Sequence, residues 1–164
     1  MASNFLDILN QLHDHHVEFV IVGGVAAALH GSSRVTFDLD VVPSLAPESW
    51  QAAVDLLWTL GARPHIPEPL ERIRDVERVR RWRIEKGMLA LTFRTPDGST
   101  EVDLLVGEGD RFDGLRQRAV TVTLAERTFH VASIDDLIAM KQRAGRPQDL
   151  LDVAQLEDIR KRLG

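Results

Sequence analysis

The chain has 164 residues, 44% hydrophobic and 27% charged, the balance of a soluble globular protein that can bury a core of its own. It contains no cysteine, which excludes a disulfide scaffold and a thiolate metal site, and its net charge of −5 offers no global attraction to nucleic acid. Met1 to Asp7 carries an acid and no basic stretch, and no apolar run nears the roughly 20 residues of a membrane span, so the expectation is a cytoplasmic, single-domain protein over residues 1–164.

Phe5, Ile8, Leu9 and Leu12 recur at helical spacing, which predicts an amphipathic helix from Asn4 to about His13. Glu18-Phe19-Val20-Ile21-Val22 is a β-branched run and reads as a buried strand. It ends at Gly23-Gly24, a helix restarts over Val25 to His30, and Gly31-Ser32-Ser33 breaks it. A second strand is expected from about Val35 to Val42, stopping at Pro43-Ser44. A helix follows from Pro47 to about Leu60, with proline suited to its first turn and Gly61 to its exit.

Pro64 to Pro69 reads as irregular, and an arginine-rich helix is expected over about Leu70 to Val79. Met88 to Arg94 and Thr100 to Val106 flank the turn Pro96-Asp97-Gly98-Ser99, an antiparallel hairpin signal, and a second strand pair, Val120–Leu124 and Thr128–Val131, flanks Ala125-Glu126-Arg127. Ser133, with Asp136 three residues on, predicts a capped helix to about Arg143, and Pro147 opens a last helix to about Arg162. The order is mixed α/β, a sheet-containing core over about 1–131 followed by two C-terminal helices over about 132–164. It is neither a βαβ ladder nor all-helical.

The chemistry concentrates in three places. Side chains alternate along a strand, so Asp38 and Asp40 share one face while Leu39 and Val41 take the other. Two carboxylates so placed suit one hard cation and repel each other without it. Gly23-Gly24 offers backbone that a phosphate can approach, followed by the amides of a helix start. Asp103, within the run Glu101-Val102-Asp103-Leu104-Leu105-Val106, is an acid entering a buried strand. Each alone has a bland reading: a wet strand face, a tight turn, a strand-entry acid. A carboxylate pair beside a phosphate cradle is what phosphoryl or nucleotidyl transfer needs. The glycine spacing is neither Gly-x-Gly-x-x-Gly nor a Walker loop, which argues against a Rossmann or P-loop site.

Strand, Gly-Gly, helix, Asp-x-Asp and a later strand Asp together resemble the DNA polymerase β-like nucleotidyltransferase superfamily. The string Gly23-Gly24-Val25-Ala26-Ala27-Ala28-Leu29-His30-Gly31, then Arg34-x-Thr36-x-Asp38-Leu39-Asp40, is similar to the small branch that includes AbiEii-type toxins. So is the tail Asp136-Leu137-Ile138-Ala139-Met140-Lys141 with Gly145-Arg146-Pro147-Gln148-Asp149-Leu150-Leu151-Asp152. The resemblance implies an α/β nucleotidyltransferase fold, a twisted mixed sheet flanked by helices with two C-terminal helices closing the cleft. It implies that Asp38, Asp40 and Asp103 bind Mg²⁺ or Mn²⁺, two such ions lying ~3.5–4 Å apart. An acceptor hydroxyl then attacks the α-phosphorus of a nucleoside triphosphate, with Asp103 helping to deprotonate it and Lys141 contacting phosphate oxygens. Gly23, Gly24, Arg34, Thr36, Arg146 and Asp149 complete the nucleotide site, with either Asp149 or Asp152 facing it.

Several features carry competing readings. Lys141 is equally a solvated helix charge, and Arg146 with Asp149 an ion pair fixing a turn. His13-Asp14-His15-His16 suits a helix C-terminus better than a metal site. Glu71 to Lys86 holds six arginines and one lysine against four acids, either a salt-bridged helix or, over Arg72 to Arg83, a surface for tRNA with Trp82 free to stack. Trp50 and Trp58, eight residues apart, read as core. The leading expectation is a toxin-like enzyme that transfers a nucleoside monophosphate to tRNA, with a cognate antitoxin as a partner. An antibiotic (aminoglycoside-type) adenylyltransferase, favoured by the acidic net charge, and a non-catalytic nucleotide-binding regulator are the alternatives.

Overall fold

The computed structural model describes residues 4–164, so the first three residues of the N-terminal stretch lie outside the described residues. Phe19–Val22 forms a strand, β1, buried along its whole length, and a strand with no wet face belongs inside a sheet. The other strands are β2 (Asp38–Pro43), β3 (Arg63–Pro64), β4 (Leu91–Arg94), β5 (Glu101–Leu104), β6 (Val120–Leu124) and β7 (Arg127–Val131). They form one sheet in the order β3-β4-β5-β2-β1-β7-β6. β2 runs antiparallel to β1 but parallel to β5, and β7 is parallel to β1, so the sheet is mixed.

The helices are α1 (Phe5–Asp14), α2 (Gly23–Leu29), α3 (Pro47–Thr59), α4 (Leu70–Arg74), α5 (Val76–Lys86), α6 (Phe112–Arg118), α7 (Ile134–Ala144) and α8 (Pro147–Leu163). The apolar stripe of α1, Ile8, Leu9 and Leu12, is fully buried. At its end the ring Nδ1 of His15 donates to the Gln11 carbonyl at 2.8 Å, and Arg127 clasps Asp14 with both arms of its guanidinium, so this polar cluster closes a helix. Trp50 of α3 is fully buried, and its indole N–H donates to the Ile73 carbonyl at 2.8 Å, tying α3 to α4. Trp58 only borders the core, with the Arg63 guanidinium 4.0 Å above its ring.

Four expectations change. β2 starts at Asp38, not Val35: Val35 and Phe37 are each 73% exposed, and the Thr36 hydroxyl bonds both the Asp38 amide and its carbonyl, holding the chain in a turn. The arginine-rich helix is two helices, longer than expected, because Asp75 leaves helical geometry to cap α5 by accepting from the amides of Glu77 and Arg78. A 3₁₀ turn (Val106–Arg111) and α6 occupy a stretch with no predicted element. Finally, β4 and β5 are shorter than the hairpin runs that contain them, although the antiparallel hairpin itself is present.

α7 and α8 pack against each other and, through α7, against α2. Ser133 caps α7 by accepting from the Asp136 amide, while the Asp136 carboxylate is taken by Arg118 at 2.8 Å. Gly145 ends α7 in the left-handed conformation that glycine adopts without strain, and Pro147 starts α8 two residues later.

Replacing Asp75 with Ala should remove the two capping bonds of α5 and cost about 1 kcal/mol. A melting curve is expected to shift down by roughly 2–4 °C. An unchanged curve would mean that α4 and α5 hold their break without the cap.

Candidate active site

The pairing of β2 with β5 places Asp40 directly beside Asp103, and Asp38 beside Glu101. On the other flank of β2, Asp40 pairs with Val22, the last residue before Gly23-Gly24. Gly23 has φ +67, and a methyl there would overlap the Asp40 carboxylate, so no larger residue fits. A methyl at Gly24 would sit 2.9 Å from Thr36 Cβ, which seats α2 against the loop that leads into β2. Thr92 of β4 pairs with Asp103 and donates its hydroxyl to that carboxylate at 2.6 Å.

These carboxylates are not independent. Burial pushes the Asp40 carboxyl up to about 7, helped by a hydrogen bond to Asp103 and the negative charges of Asp103 and Asp38, with Lys141 pulling the other way. Asp38 is also raised, by burial first and then by Asp103 and Glu101. Among the described residues, no three of His, Cys, Asp and Glu already close into a metal cage.

The cations come from across the cleft. Lys141 of α7 bonds Asp152 at 3.0 Å and Asp149 at 3.4 Å, and Arg34 bonds the other Asp152 oxygen at 2.6 Å. Gln148 adds a third donor to Asp152, at 3.1 Å. Asp149 is 1% exposed and closes a capping box with Arg146, whose guanidinium holds its carboxyl down at about 2. The ion pair that fixes the α7–α8 turn is therefore present.

Two adjoining cavities share a wall made of Gly23, Asp40, Asp103, Leu137, Lys141 and Arg146. The smaller, about 320 Å³, takes in Gly24, Arg34, Thr36, Asp38 and Asp152. The larger, about 620 Å³, lies on the other side, against Leu89, Met140, Arg111, Arg143 and Asp149. All ten residues singled out in the sequence thus line one cavity or both. Asp149 and Asp152 each reach the cleft, from opposite sides. No residue of Leu70–Lys86 lines either cavity, Trp82 is 6% exposed and cannot stack on a ligand, and Arg74 and Arg83 are tied to Asp55 and Asp110.

Residues 5–162 match the family described as nucleotidyl transferase AbiEii toxin, type IV TA system. The chain belongs to that family. This AbiEii-family chain is a nucleotidyltransferase. No curated protein sequence matches it significantly. Among solved structures it is similar to the antibiotic-resistance factor ANT(2'')-Ia in solution, with a TM-score of 0.56 at 14% identity over 98% of this chain and 82% of that one. A crystal structure of ANT(2'')-Ia in complex with adenylyl-2''-tobramycin gives 0.53 at 14% identity, covering 98% and 87%. An antigenic nucleotidyltransferase-like protein from Paracoccidioides brasiliensis gives 0.51 at 18%, covering 90% and 70%. At these identities the likeness is one of fold, and the mixed α/β sheet flanked by helices is the nucleotidyltransferase fold.

Thr92, which bonds an acid of this AbiEii-family cleft, escaped the sequence. It was countable: pairing outward from the Pro96–Ser99 turn sets 94 against 101 and 92 against 103. Asp152 was expected as the alternative to Asp149, but its partner Arg34, 118 residues away, was not legible. The Asp40 carboxyl generates a stability test. Its folded pKa lies above its ordinary 3.8, so the folded protein holds an extra proton, and the stability this contributes is complete below about pH 4 and lost as pH rises through about 7. In metal-free urea titrations, wild type should lose stability across that window relative to Asp40→Asn, by on the order of a few kcal/mol at most. Parallel pH profiles would show that Asp40 does not carry the proton.

Proposed function

We propose that the chain is a metal-dependent nucleotidyltransferase that moves a nucleoside monophosphate from a nucleoside triphosphate to a hydroxyl of tRNA. The observation that carries this reading is the wall of Asp40, Asp103 and Lys141 between two cavities, because a two-substrate transfer needs one reacting centre flanked by two binding spaces. The donor set fits a divalent cation: carboxylate oxygens are hard ligands, and the strand register sets Asp40 directly beside Asp103. Asp38, Asp40 and Asp103 would hold Mg²⁺ or Mn²⁺, which when bound supplies positive charge to the phosphoryl oxygens and acidifies a hydroxyl.

The chain's own residues do the rest. Gly23 and Gly24 let phosphate approach the backbone, and Arg34, Thr36, Lys141 and Arg146 offer it donors. In the larger cavity the acceptor hydroxyl oxygen bonds to the α-phosphorus, the bond to pyrophosphate breaks, and the hydroxyl proton passes to Asp103. Thr92 keeps that carboxylate oriented. The acceptor side offers a polyanion cations to bind. Its lining carries Arg111, Lys141, Arg143 and Arg146 alongside the acids Asp40, Asp103, Glu108 and Asp149, and metal at Asp40 and Asp103 would tip that balance positive. Arg111 and Arg143, which share the single carboxylate of Glu108 at 3.1 Å, are the cations through which this reading brings tRNA to the cavity, in place of the Arg72–Arg83 segment, which lines neither cavity. A cationic aminoglycoside is the second reading, supported by the net charge of −5 and by the likeness to ANT(2'')-Ia.

Incubation with each α-³²P-labelled triphosphate, metal, and either total tRNA or aminoglycosides is expected to label tRNA. Label on an aminoglycoside alone would choose the second reading, and label on nothing would sink both. Metal with triphosphate at 100 times its dissociation constant should stabilise the fold by about 2.7 kcal/mol. Asp103→Asn should depress turnover far more than triphosphate binding.

The acceptor wall has its own test. Arg111→Gln and Arg143→Gln should weaken tRNA binding and each lower the salt slope by about one, leaving triphosphate affinity intact. Equal slopes for wild type and both variants would remove this cavity from the tRNA path.

A further inference from the structure

We infer that Gln155 reads the nucleobase of the triphosphate, an inference that rests on the transfer reading above and adds a specificity-determining residue to it. The smaller cavity has two kinds of lining: the charged Asp38, Asp40, Arg34 and Lys141, and the apolar Ala27, Val35 and Leu156, with Gln155 next to Leu156 on α8. A nucleoside triphosphate likewise joins three phosphates to a flat ring with a polar edge. A volume of about 320 Å³ is of the order that small-ligand sites occupy.

One helix contributes to both kinds. Asp152 of α8 meets Arg34 and Lys141. Gln155 and Leu156 follow one turn later, a rise of roughly 4.5–6 Å along the axis. Leu156 is 3% exposed and gives the ring an apolar wall. Gln148, one turn before Asp152 on the same helix, spends its amide on that carboxylate. Gln155 does not: it is half-buried at the cavity wall, and among the described residues its carboxamide makes no hydrogen bond. An amide committed to no protein partner is free to exchange its water for the edge of a ligand.

A carboxamide presents an acceptor and a donor side by side, which is how glutamine engages the paired donor and acceptor on a base edge, as with adenine N6 and N7. Phosphate contact carries no base information, and among the lining residues Gln155 is the one carboxamide, the side chain that presents a donor and an acceptor together to a base edge.

The test measures binding of ATP, GTP, CTP and UTP, with Mg²⁺, to wild type, Gln155→Leu and Gln155→Glu by calorimetry, with inorganic tripolyphosphate as the probe of the charged lining alone. Wild type is expected to rank the four bases. Gln155→Leu should flatten that ranking by roughly three- to tenfold, the worth of a net hydrogen bond. Gln155→Glu, which can only accept, should shift the ranking towards guanine, whose N1–H and N2 amino group both donate. A melting curve for each variant separates these outcomes from loss of fold. A wild type that binds all four equally, or variants that keep the wild-type ranking, overturns the role of Gln155 and leaves the transfer reading standing. A wild type that binds neither triphosphates nor tripolyphosphate overturns both.

Discussion

The parallel pairing of β2 with β5 puts Asp40 next to Asp103 at the centre of the sheet, and much of the molecule is arranged around that juxtaposition. Read across the strands, the register forms one row: Val22, Asp40, Asp103, Thr92. Each member answers its neighbour. Gly23 follows Val22 because nothing larger clears the Asp40 carboxylate, and Thr92 gives Asp103 a hydroxyl donor. A slip of one residue in β2 would turn Leu39 and Val41 into the cleft and bury the acids in the core, so the register is specified by hydrophobic burial as much as by the site.

The second half of the cleft comes from a different part of the chain. α7 and α8 carry a lysine and two buried acids, joined by a turn that Gly145 and Pro147 make sharp. The two acids divide the labour. Asp149 is spent on geometry, clamped by Arg146 at the start of α8, while Asp152 faces the smaller cavity and gathers Lys141, Arg34 and Gln148. The sheet thus supplies acids alone, while the helices supply Lys141 together with the acids that hold it.

What could be read from the sequence was what depends on neighbours in sequence. The buried run before Gly23-Gly24, the alternation that places Asp38 with Asp40, the hairpin around Pro96–Ser99 and the proline start of α8 are all local patterns, and all are present. Val35 and Phe37 looked like strand because β-branched and aromatic residues favour one, yet no partner strand reaches them and Thr36 turns the chain instead. Asp75 looked like one more charge in a polar helix, and its competing hydrogen bonds to the backbone ended that helix. Gly107, Gly109 and Gly114 masked the 3₁₀ turn and α6, which form because the core covers Val106, Phe112 and Leu115. The arginines of α4 and α5 gave a local excess of charge whose answering acids, Asp55 and Asp110, lie outside the segment.

The sharing of Asp152 between Arg34 and Lys141 is the arrangement of an ion exchanger. Both cations already share one carboxylate of the protein, so under the proposed transfer a polyphosphate would gain only the difference between its own oxygens and those of Asp152. The same exchange would run backwards as pyrophosphate departs, with α8 offering the cations an immediate replacement. A carboxylate that loosens substrate capture in this way would also hasten release.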